Sequence, residues 1–203
     1  MIVLTDVETT GLRPEDGHQL LEIFVQVHHP VYPFDQVGES FHRVIHHHPD
    51  DAIALADDYV HDMHDKTGLW DKVAQGHPLH LVDTALLDFL QHHVPKRVGR
   101  VTGNSVRLDM NFMDAYLPKA MSWLHYRFLD VTGLSWFANE NFNIPFYEKD
   151  TANTHSAQHD VMECLRELRH VTAQLSKVEN ILPTQLRNWV QAQTDGGRSD
   201  YSA

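Results

Sequence analysis

Residues 2–12 read IVLTDVETTGL, and this stretch predicts both the start of the fold and the position of its chemistry. The apolar, β-branched opening at 2–4 is typical of a buried strand. Side chains two residues apart in a strand point to the same face, so we expect Asp6 and Glu8 to project together. Gly11 then ends the strand and begins a turn.

Two later segments carry acids of the same type. GNSVRLDMNF contributes Asp109, and THSAQHD contributes His155 and Asp160. Taken singly, acids at strand ends are often merely solvated, and acids in first helical turns often stabilise the helix dipole. Four carboxylates that converge repel one another unless divalent cations neutralise them, so the set predicts a metal site. A pair of hard cations that clamps a phosphodiester is the leading use of such a site.

The remaining apolar patterns predict an α/β chain with a mixed β-sheet flanked by helices. Strands are predicted at 20–27 and 39–45, forming an antiparallel three-strand meander with the first, and at 100–102 and 128–131, as parallel strands. Helices are predicted over 82–94, over 107–117 with a stop at Pro118, up to Phe137, and over 157–175. A further short helix is predicted at 180–190, followed by a polar, disordered tail at 191–203.

Length and composition fit one α/β domain. With 203 residues, of which 42% are hydrophobic, the chain suits a single full core. No apolar run approaches the roughly 20 residues that span a bilayer, and no signal-peptide pattern precedes the first strand, so no membrane partner is expected. The single cysteine, Cys164, suits a reducing compartment and is expected as a packed core thiol. These features predict a cytoplasmic protein.

The motifs resemble those of the DEDD-type 3′→5′ exonucleases, a superfamily with a ribonuclease H-like fold. DVETTG with LLEIFVQV is similar to their first motif and GNSVRLDMNF to their second, while HSAQHD has the HxAxxD form of the histidine-bearing DEDDh (DnaQ-like) subgroup. HYRFLDVTGL at 125–134 and MHDKTGL at 63–69 are similar to segments of oligoribonucleases. The resemblance runs from about Ile2 to His170, and it implies an exonuclease domain over 1–178 followed by a helix and tail over 179–203.

The resemblance implies a two-metal hydrolysis. In it, two Mg²⁺ or Mn²⁺ ions are held by four carboxylates, those of Asp6, Glu8, Asp109 and Asp160. One ion activates a water, and the other stabilises the leaving 3′ oxygen. An imidazole titrates near neutral pH, so His155 is expected to deprotonate the attacking water. The expected products are nucleoside 5′-monophosphates from the 3′ end.

The resemblance also implies contacts to substrate. The positions concerned are Leu12, which the family places against the terminal bases, and Ser105, His125, Tyr126 and Arg127, which oligoribonucleases use to cap the 5′ phosphate of a dinucleotide. In that family the HYR residues arrive from the partner subunit, so a homodimer is expected. Ordinary packing stays open for Leu12, as does a plain surface segment for 125–127. We expect Trp70 in the core or an interface rather than on a base.

One position departs from the family pattern and leaves the substrate length open. Oligoribonucleases usually have a glutamine before the second-motif acid, where it helps the phosphate cap, and here Leu108 stands in its place. Leucine cannot hydrogen-bond a phosphate, so a general single-strand 3′→5′ exonuclease on DNA or longer RNA is the alternative. The net charge of −12 favours a short substrate, because proteins that grip long nucleic acid normally present a basic surface. Short single-stranded RNA, or DNA, is the expected substrate.

Seventeen histidines raise a non-enzymatic alternative, a histidine-rich metal-binding protein. They include runs at 28–29, 46–48 and 92–93. Zinc sites usually combine histidine with cysteine or carboxylate at fixed spacings, and no second matching pair accompanies these runs. We interpret the runs as solvated surface.

Overall fold

A five-stranded mixed sheet forms the centre of the computed structural model, which describes residues 1–150 and 155–177. The strands are β1 (Ile2–Thr9), β2 (Leu20–His28), β3 (Phe41–Val44), β4 (Arg100–Gly103) and β5 (Leu129–Asp130). Their order across the sheet is β3-β2-β1-β4-β5. The first three form an antiparallel meander, whereas β4 runs parallel to β1 and β5 parallel to β4. The predicted mixed sheet is confirmed.

Eight α-helices flank the sheet in the described part of the chain, and a short 3-10 turn lies at Pro14–Asp16. The helices are α1 (Pro49–Ile53), α2 (Asp58–Thr67), α3 (Leu69–Val73), α4 (Leu79–His93), α5 (Arg107–Tyr116), α6 (Pro118–Trp123), α7 (Val131–Phe142) and α8 (Ala157–Leu175). The bounds of α8 are those predicted, and α4 and α5 begin and end within three residues of theirs. The predicted helix at 180–190 and tail at 191–203 lie outside the described residues.

The sequence analysis missed the helices α1, α2, α3 and α6. α1 and α3 have five residues each, too few turns to display a helical period. α2 begins where the Asp57 carboxylate accepts the Val60 N–H at 2.8 Å and ends at Gly68, whose φ is 65°. Pro118 ends the predicted helix, but it also begins α6. The N–H groups in the first turn of a helix have no partner within the helix, so a proline, which has no N–H, is tolerated there.

The alternation of β1 sets which face of the sheet carries each side chain. Val3 and Val7 belong to the larger apolar core, which packs against α4 and α5. Ile2 and Leu4 belong to a second core, which packs against α8. Asp6 and Glu8 continue this second row, so they reach the end of the strand on the side of α8.

Cys164 lies in this second core on α8, and its expected role as a packed thiol is confirmed. Burial raises the pKa of the thiol well above its ordinary value, which keeps it protonated. Among the described residues, no helix combines the length and apolarity needed to cross a membrane.

One of the histidine runs differs from the interpretation as solvated surface. His28 is 1% exposed at the end of β2. Its Nδ1–H donates to the carbonyl of Phe34 at 2.7 Å, so the ring is buried without losing a hydrogen bond. The neighbouring His29 is exposed, as are His46 and His92. The interpretation is therefore wrong for His28, whose side chain closes the turn after β2.

Candidate active site

Three of the predicted carboxylates meet at the end of β1. Asp6 and Glu8 project from the strand, and Asp160 faces them from the first turn of α8. One ligand oxygen from each lies within 4.8 Å of the other two. Within the ranges 1–150 and 155–177, this is the one group of three or more histidine, cysteine or acidic side chains that could hold a metal ion. The histidine runs form no such group there.

Asp109 lies beside this trio, in the first turn of α5. Its Oδ1 accepts the backbone N–H of Val7 at 3.0 Å. The ladder between β1 and β4 ends at the pair Leu4 and Thr102, so the carboxylate pairs with an amide beyond the end of that ladder. Asp109 is 5% exposed, and burial raises its pKa to about 7 although the bond from Val7 opposes the shift. We call Asp6, Glu8, Asp109 and Asp160 the carboxylate site.

Burial and the neighbouring negative charges both raise the pKa values of Asp6 and Glu8 in the carboxylate site. Burial raises the pKa of Asp6 well above its ordinary value, and the charges of Asp109, Glu8 and Asp160 raise it further. Burial also raises the pKa of Glu8, followed by the charges of Asp160 and Glu22. A bound divalent cation would reverse both effects, and an all-oxygen donor set is the one that Mg²⁺ and Mn²⁺ prefer.

A fifth acid, Glu22, lies behind the site and was missed by the sequence analysis. It pairs with Glu8 across β1 and β2, it is buried, and its carboxylate lies 2.6 Å from Nε2 of His42. The signal was present in LLEIFVQV, where one acid interrupts an otherwise apolar buried strand. A buried charge normally has a partner or a function.

His64 on α2 was also missed, although it lies in the quoted stretch MHDKTGL. Its ring is fully buried, and its Nε2–H donates to the carbonyl of Thr9 at 2.9 Å. Its Nδ1 lies 3.9 Å from Oε2 of Glu8, and burial lowers the pKa of the imidazole. Trp70 packs edge-on against this ring and is buried, so its predicted place in the core is confirmed. These contacts support the end of β1 that carries Glu8.

His155 lies directly before α8 with a positive φ of 67°. Its backbone N–H donates to Oδ2 of Asp160 at 3.0 Å, which ties the loop to the carboxylate site. The imidazole is half-buried and meets the exposed ring of Tyr59 in a T-shaped contact, with the centroids 6.5 Å apart. The structure therefore brings His155 to the same edge of the sheet as the four acids.

A cavity of about 850 Å³ opens beside Glu8. Leu12 lines it and is 69% exposed, so this side chain is not held in the core by ordinary packing. Tyr59 and Met63 of α2 also line it. The cavity thus combines an acidic end with exposed apolar and aromatic groups, the kind of surface on which bases stack.

Ser105 follows β4 near the start of α7. Its N–H is shared between Oδ1 of Asp130 and Oγ1 of Thr132, each at 3.2 Å. Asn104 donates its side-chain amide to the same Thr132 hydroxyl at 3.2 Å. We call Asn104, Ser105 and Thr132 the cap edge. Ser105 and Thr132 are exposed there, so their hydroxyls are accessible to a ligand.

The residues His125, Tyr126 and Arg127, here called the HYR segment, lie at the opposite end of the sheet. The His125 N–H donates to the carbonyl of Gly99, just before β4, and β4 begins opposite Ile2. Asp6 lies four residues farther along β1, about 13 Å at the usual strand rise. The structure therefore does not bring the HYR segment to the carboxylate site of its own chain.

The HYR segment is exposed and positively charged. Tyr126 is 70% exposed, stacks on the His125 ring with centroids 4.6 Å apart, and has the Arg127 guanidinium 5.4 Å from its own centroid. Arg97 and Arg100 lie close enough for their charges to act on His125. The result is an exposed cationic and aromatic surface.

Comparison with known sequences gives one consistent result. The family model described as exonuclease (RNase T) matches residues 3–168. The oligoribonuclease of Aromatoleum aromaticum is 32% identical over 174 residues, which are 83% of this chain and 91% of that protein. The oligoribonuclease of Bordetella pertussis is 33% identical over 178 residues, 87% of this chain and 96% of that protein.

Comparison with solved structures supports the fold. Escherichia coli exonuclease I in complex with a dA16 oligonucleotide matches with a TM-score of 0.60 and 16% identity. Its complex with a dT13 oligonucleotide matches with a TM-score of 0.55 and 17% identity. Each match covers 95% of this chain but 43% of the exonuclease I chain. The likeness confirms the predicted ribonuclease H-like α/β architecture.

Proposed function

The chain belongs to the RNase T exonuclease family as an oligoribonuclease-like member, and on this premise we propose how its residues perform the reaction. The protein is a 3′→5′ exoribonuclease, a hydrolase of phosphodiesters. Its family generally uses divalent metal ions. The observation that carries the mechanism is the approach of Asp6, Glu8 and Asp160 to within 4.8 Å, with Asp109 and His155 at the same edge of the sheet.

Asp6, Glu8, Asp109 and Asp160 would hold two Mg²⁺ or Mn²⁺ ions. When bound, these ions supply an activated water and stabilise the negative charge that develops on the leaving 3′ oxygen. Buried carboxylates with raised pKa values suit this role, because the cations restore their ionised form. Glu22 stays outside the ligand set, where its carboxylate is hydrogen-bonded to Nε2 of His42.

His155 acts as the general base and takes the proton of the attacking water. Its backbone bond to Asp160 sets the position of the imidazole relative to the metal ligands. The half-buried ring keeps access to solvent, so the proton can leave after each turnover. Leu12 and the wall of the cavity beside Glu8 hold the terminal bases, and the products are nucleoside 5′-monophosphates.

The substrate is a short single-stranded oligonucleotide whose 5′ phosphate binds at the cap edge. The HYR segment completes this cap from a second copy of the chain, because about 13 Å along the sheet separates it from the carboxylate site of its own chain. The functional unit is therefore a homodimer. Its relatives of similar length are named oligoribonucleases, which favours short RNA.

A second candidate is a general exonuclease on longer RNA or on DNA. Leu108 favours it, since this side chain packs against the main core and offers no hydrogen bond to a phosphate. The two candidates differ in how the rate depends on the length of the strand.

A length series tests the proposal. Purified protein with Mg²⁺ or Mn²⁺ receives 5′-labelled RNA and DNA of two to about twenty nucleotides, with Asp109→Ala as the inactive control. We expect metal-dependent cleavage that is fastest on the shortest RNA and falls with length. Undiminished stepwise degradation of the long strands would favour the second candidate, and wild-type rates from Asp109→Ala would refute the mechanism.

A further inference from the structure

A polar cluster outside the carboxylate site joins the cap edge to α8. Lys149 Nζ–H donates to Oδ1 of Asn104 at 2.7 Å and lies 3.0 Å from Oε2 of Glu167. The Asn104 amide donates to the same Glu167 oxygen at 2.9 Å, and the Ser135 hydroxyl donates to the other at 2.6 Å. Glu167 therefore accepts from three side chains of three different segments.

Lys149 determines the charge of this cluster. Glu167 is 6% exposed, and in the described part of the chain Lys149 is the one cation that pairs with it. An unneutralised buried carboxylate would repel any anion at the neighbouring cap edge. With Lys149 in place, the hydroxyls of Ser105 and Thr132 lie beside a neutral pair instead of a bare negative charge.

The Lys149 ammonium also has a donor to spare. It carries three N–H groups, and the contacts with Asn104 and Glu167 use two of them. The side chain is 39% exposed, so the third N–H can reach a ligand from solvent. Lys149 contacts Asn104, which belongs to the cap edge and is bonded to Thr132. The Lys149 ammonium and the cap-edge hydroxyls can therefore contact one bound group.

The spacing along α8 relates this cluster to the reaction centre. Glu167 follows Asp160 by seven residues, which is two turns on the same face and about 10.5 Å of helix. One nucleotide with its terminal phosphate can span such a separation. A dinucleotide whose scissile phosphodiester lies at the carboxylate site would thus place its 5′ phosphate near Lys149.

We propose that Lys149 is a specificity-determining residue that binds the 5′-terminal phosphate of a short oligonucleotide together with Ser105 and Thr132. The inference rests on the proposed function, and it identifies the Lys149 ammonium as the charged group that favours a 5′-phosphorylated substrate. In an ammonium to phosphate contact both the donor and the acceptor are ionised, whereas a glutamine amide brings no charge of its own to the phosphate. Lys149 thereby compensates for Leu108, which cannot bind a phosphate.

The test compares two RNA dinucleotides that differ at the 5′ end, one phosphorylated and one with a free hydroxyl. The measured quantity is the ratio of their kcat/KM values, in wild type and in Lys149→Met, Lys149→Gln and Lys149→Arg. We expect Met and Gln to lower the preference for the phosphorylated dinucleotide by about tenfold, and Arg to restore most of it. Lys119→Met on α6 is the matched control, since that ammonium contacts the Thr84 hydroxyl away from the site, and it should keep the wild-type ratio.

The outcomes separate this inference from the proposed function. Equal losses on both dinucleotides, with an unchanged ratio, would overturn it and leave Lys149 as a structural contact between Asn104 and α8. Lys149→Gln keeps a hydrogen-bonding side chain, so it decides the question if Lys149→Met fails to fold. Metal-dependent cleavage by wild type, lost in Asp109→Ala, tests the proposed function alone.

Discussion

The two ends of the central sheet differ in charge, burial and support. At the carboxyl ends of β1 and β4, the carboxylate site is largely buried and fixed by bonds such as that from the Val7 amide to Asp109. At the other end, the exposed HYR segment contains Arg127, with Arg97 and Arg100 nearby. One end suits cations, and the other suits an anion. A single chain holds these two surfaces about 13 Å apart along the sheet. Under the proposed function, a short nucleic acid contacts both where two chains meet.

The largest effect is expected from a substitution that removes an acid from the buried end of the sheet. Asp109→Asn should lower kcat by about 10³-fold or more, because the site loses the charge that would hold a metal ion. The amide oxygen of asparagine can still accept the Val7 N–H, so the fold should persist. Kinetics on an RNA dinucleotide and circular dichroism check both statements. Asp109→Ala serves for comparison and should also lower the free energy of unfolding by about 1–3 kcal/mol, since it leaves that N–H unpaired.

A second, smaller effect concerns the general base at the same end. His155→Ala should lower kcat by about 10²-fold or more while the protein still binds Mg²⁺, because the imidazole moves a proton and holds no metal. Isothermal titration with Mg²⁺ and a pH profile of kcat separate these two roles. A large loss of Mg²⁺ affinity in His155→Ala would show instead that the imidazole belongs to the metal site.

The exposed end should respond more weakly and in a substrate-dependent way. Arg127→Ala should raise KM for a 5′-phosphorylated dinucleotide by about tenfold, since one bidentate phosphate contact is lost. Arg43→Ala on β3 is the control, because that guanidinium lies over the Phe41 ring at the far sheet edge. An equal change in both variants would refute a specific role for the HYR segment.

The smallest effect is a dependence of stability on pH in the metal-free protein. The pKa of Asp109 is about 7 in the folded state and about 3.9 in an unfolded chain, so the folded state binds the extra proton. Stability is therefore highest below about pH 4 for this group and is lost as the pH rises to 7. With EDTA present, Tm should fall on the order of 5 °C between pH 5 and pH 8. Added Mg²⁺ or Asp109→Asn should reduce this fall, and an identical fall in all three samples would contradict the assignment.

The sequence predicted those parts of the molecule whose local pattern repeats. β1, β2 and α8 have long apolar periods, and the chemistry-bearing Asp6, Glu8 and Asp160 occupy defined positions on them. Helices of five residues carry no such period, which is why α1 and α3 were missed. α6 was missed because Pro118 was interpreted only as the end of a helix, although a proline can also begin one.

Buried polar residues were the other limit of the sequence analysis. Glu22 looks like a single exception within a strand pattern, and His64 lies in a stretch for which no helix was predicted. Only the pairing of β1 with β2 and the packing of α2 place them beside Glu8. His28 looked like surface because a histidine pair is polar, but hydrogen bonds of its ring with the Phe34 carbonyl and the Gln26 side chain permit its burial. The partner of a polar group is a property of the tertiary structure, and a linear pattern does not contain it.

The most direct test combines, in one heterodimer, a substitution at the carboxylate site of one chain with a substitution in the HYR segment of the other. Asp109→Ala and Arg127→Ala chains are co-expressed with different affinity tags, and the heterodimer is purified over both tags and assayed on a 5′-phosphorylated RNA dinucleotide. If the HYR segment serves the partner's carboxylate site, the heterodimer has one intact site and should show about half of the wild-type activity. Activity no higher than that of the two parent variants, or failure to recover any heterodimer, would contradict the account.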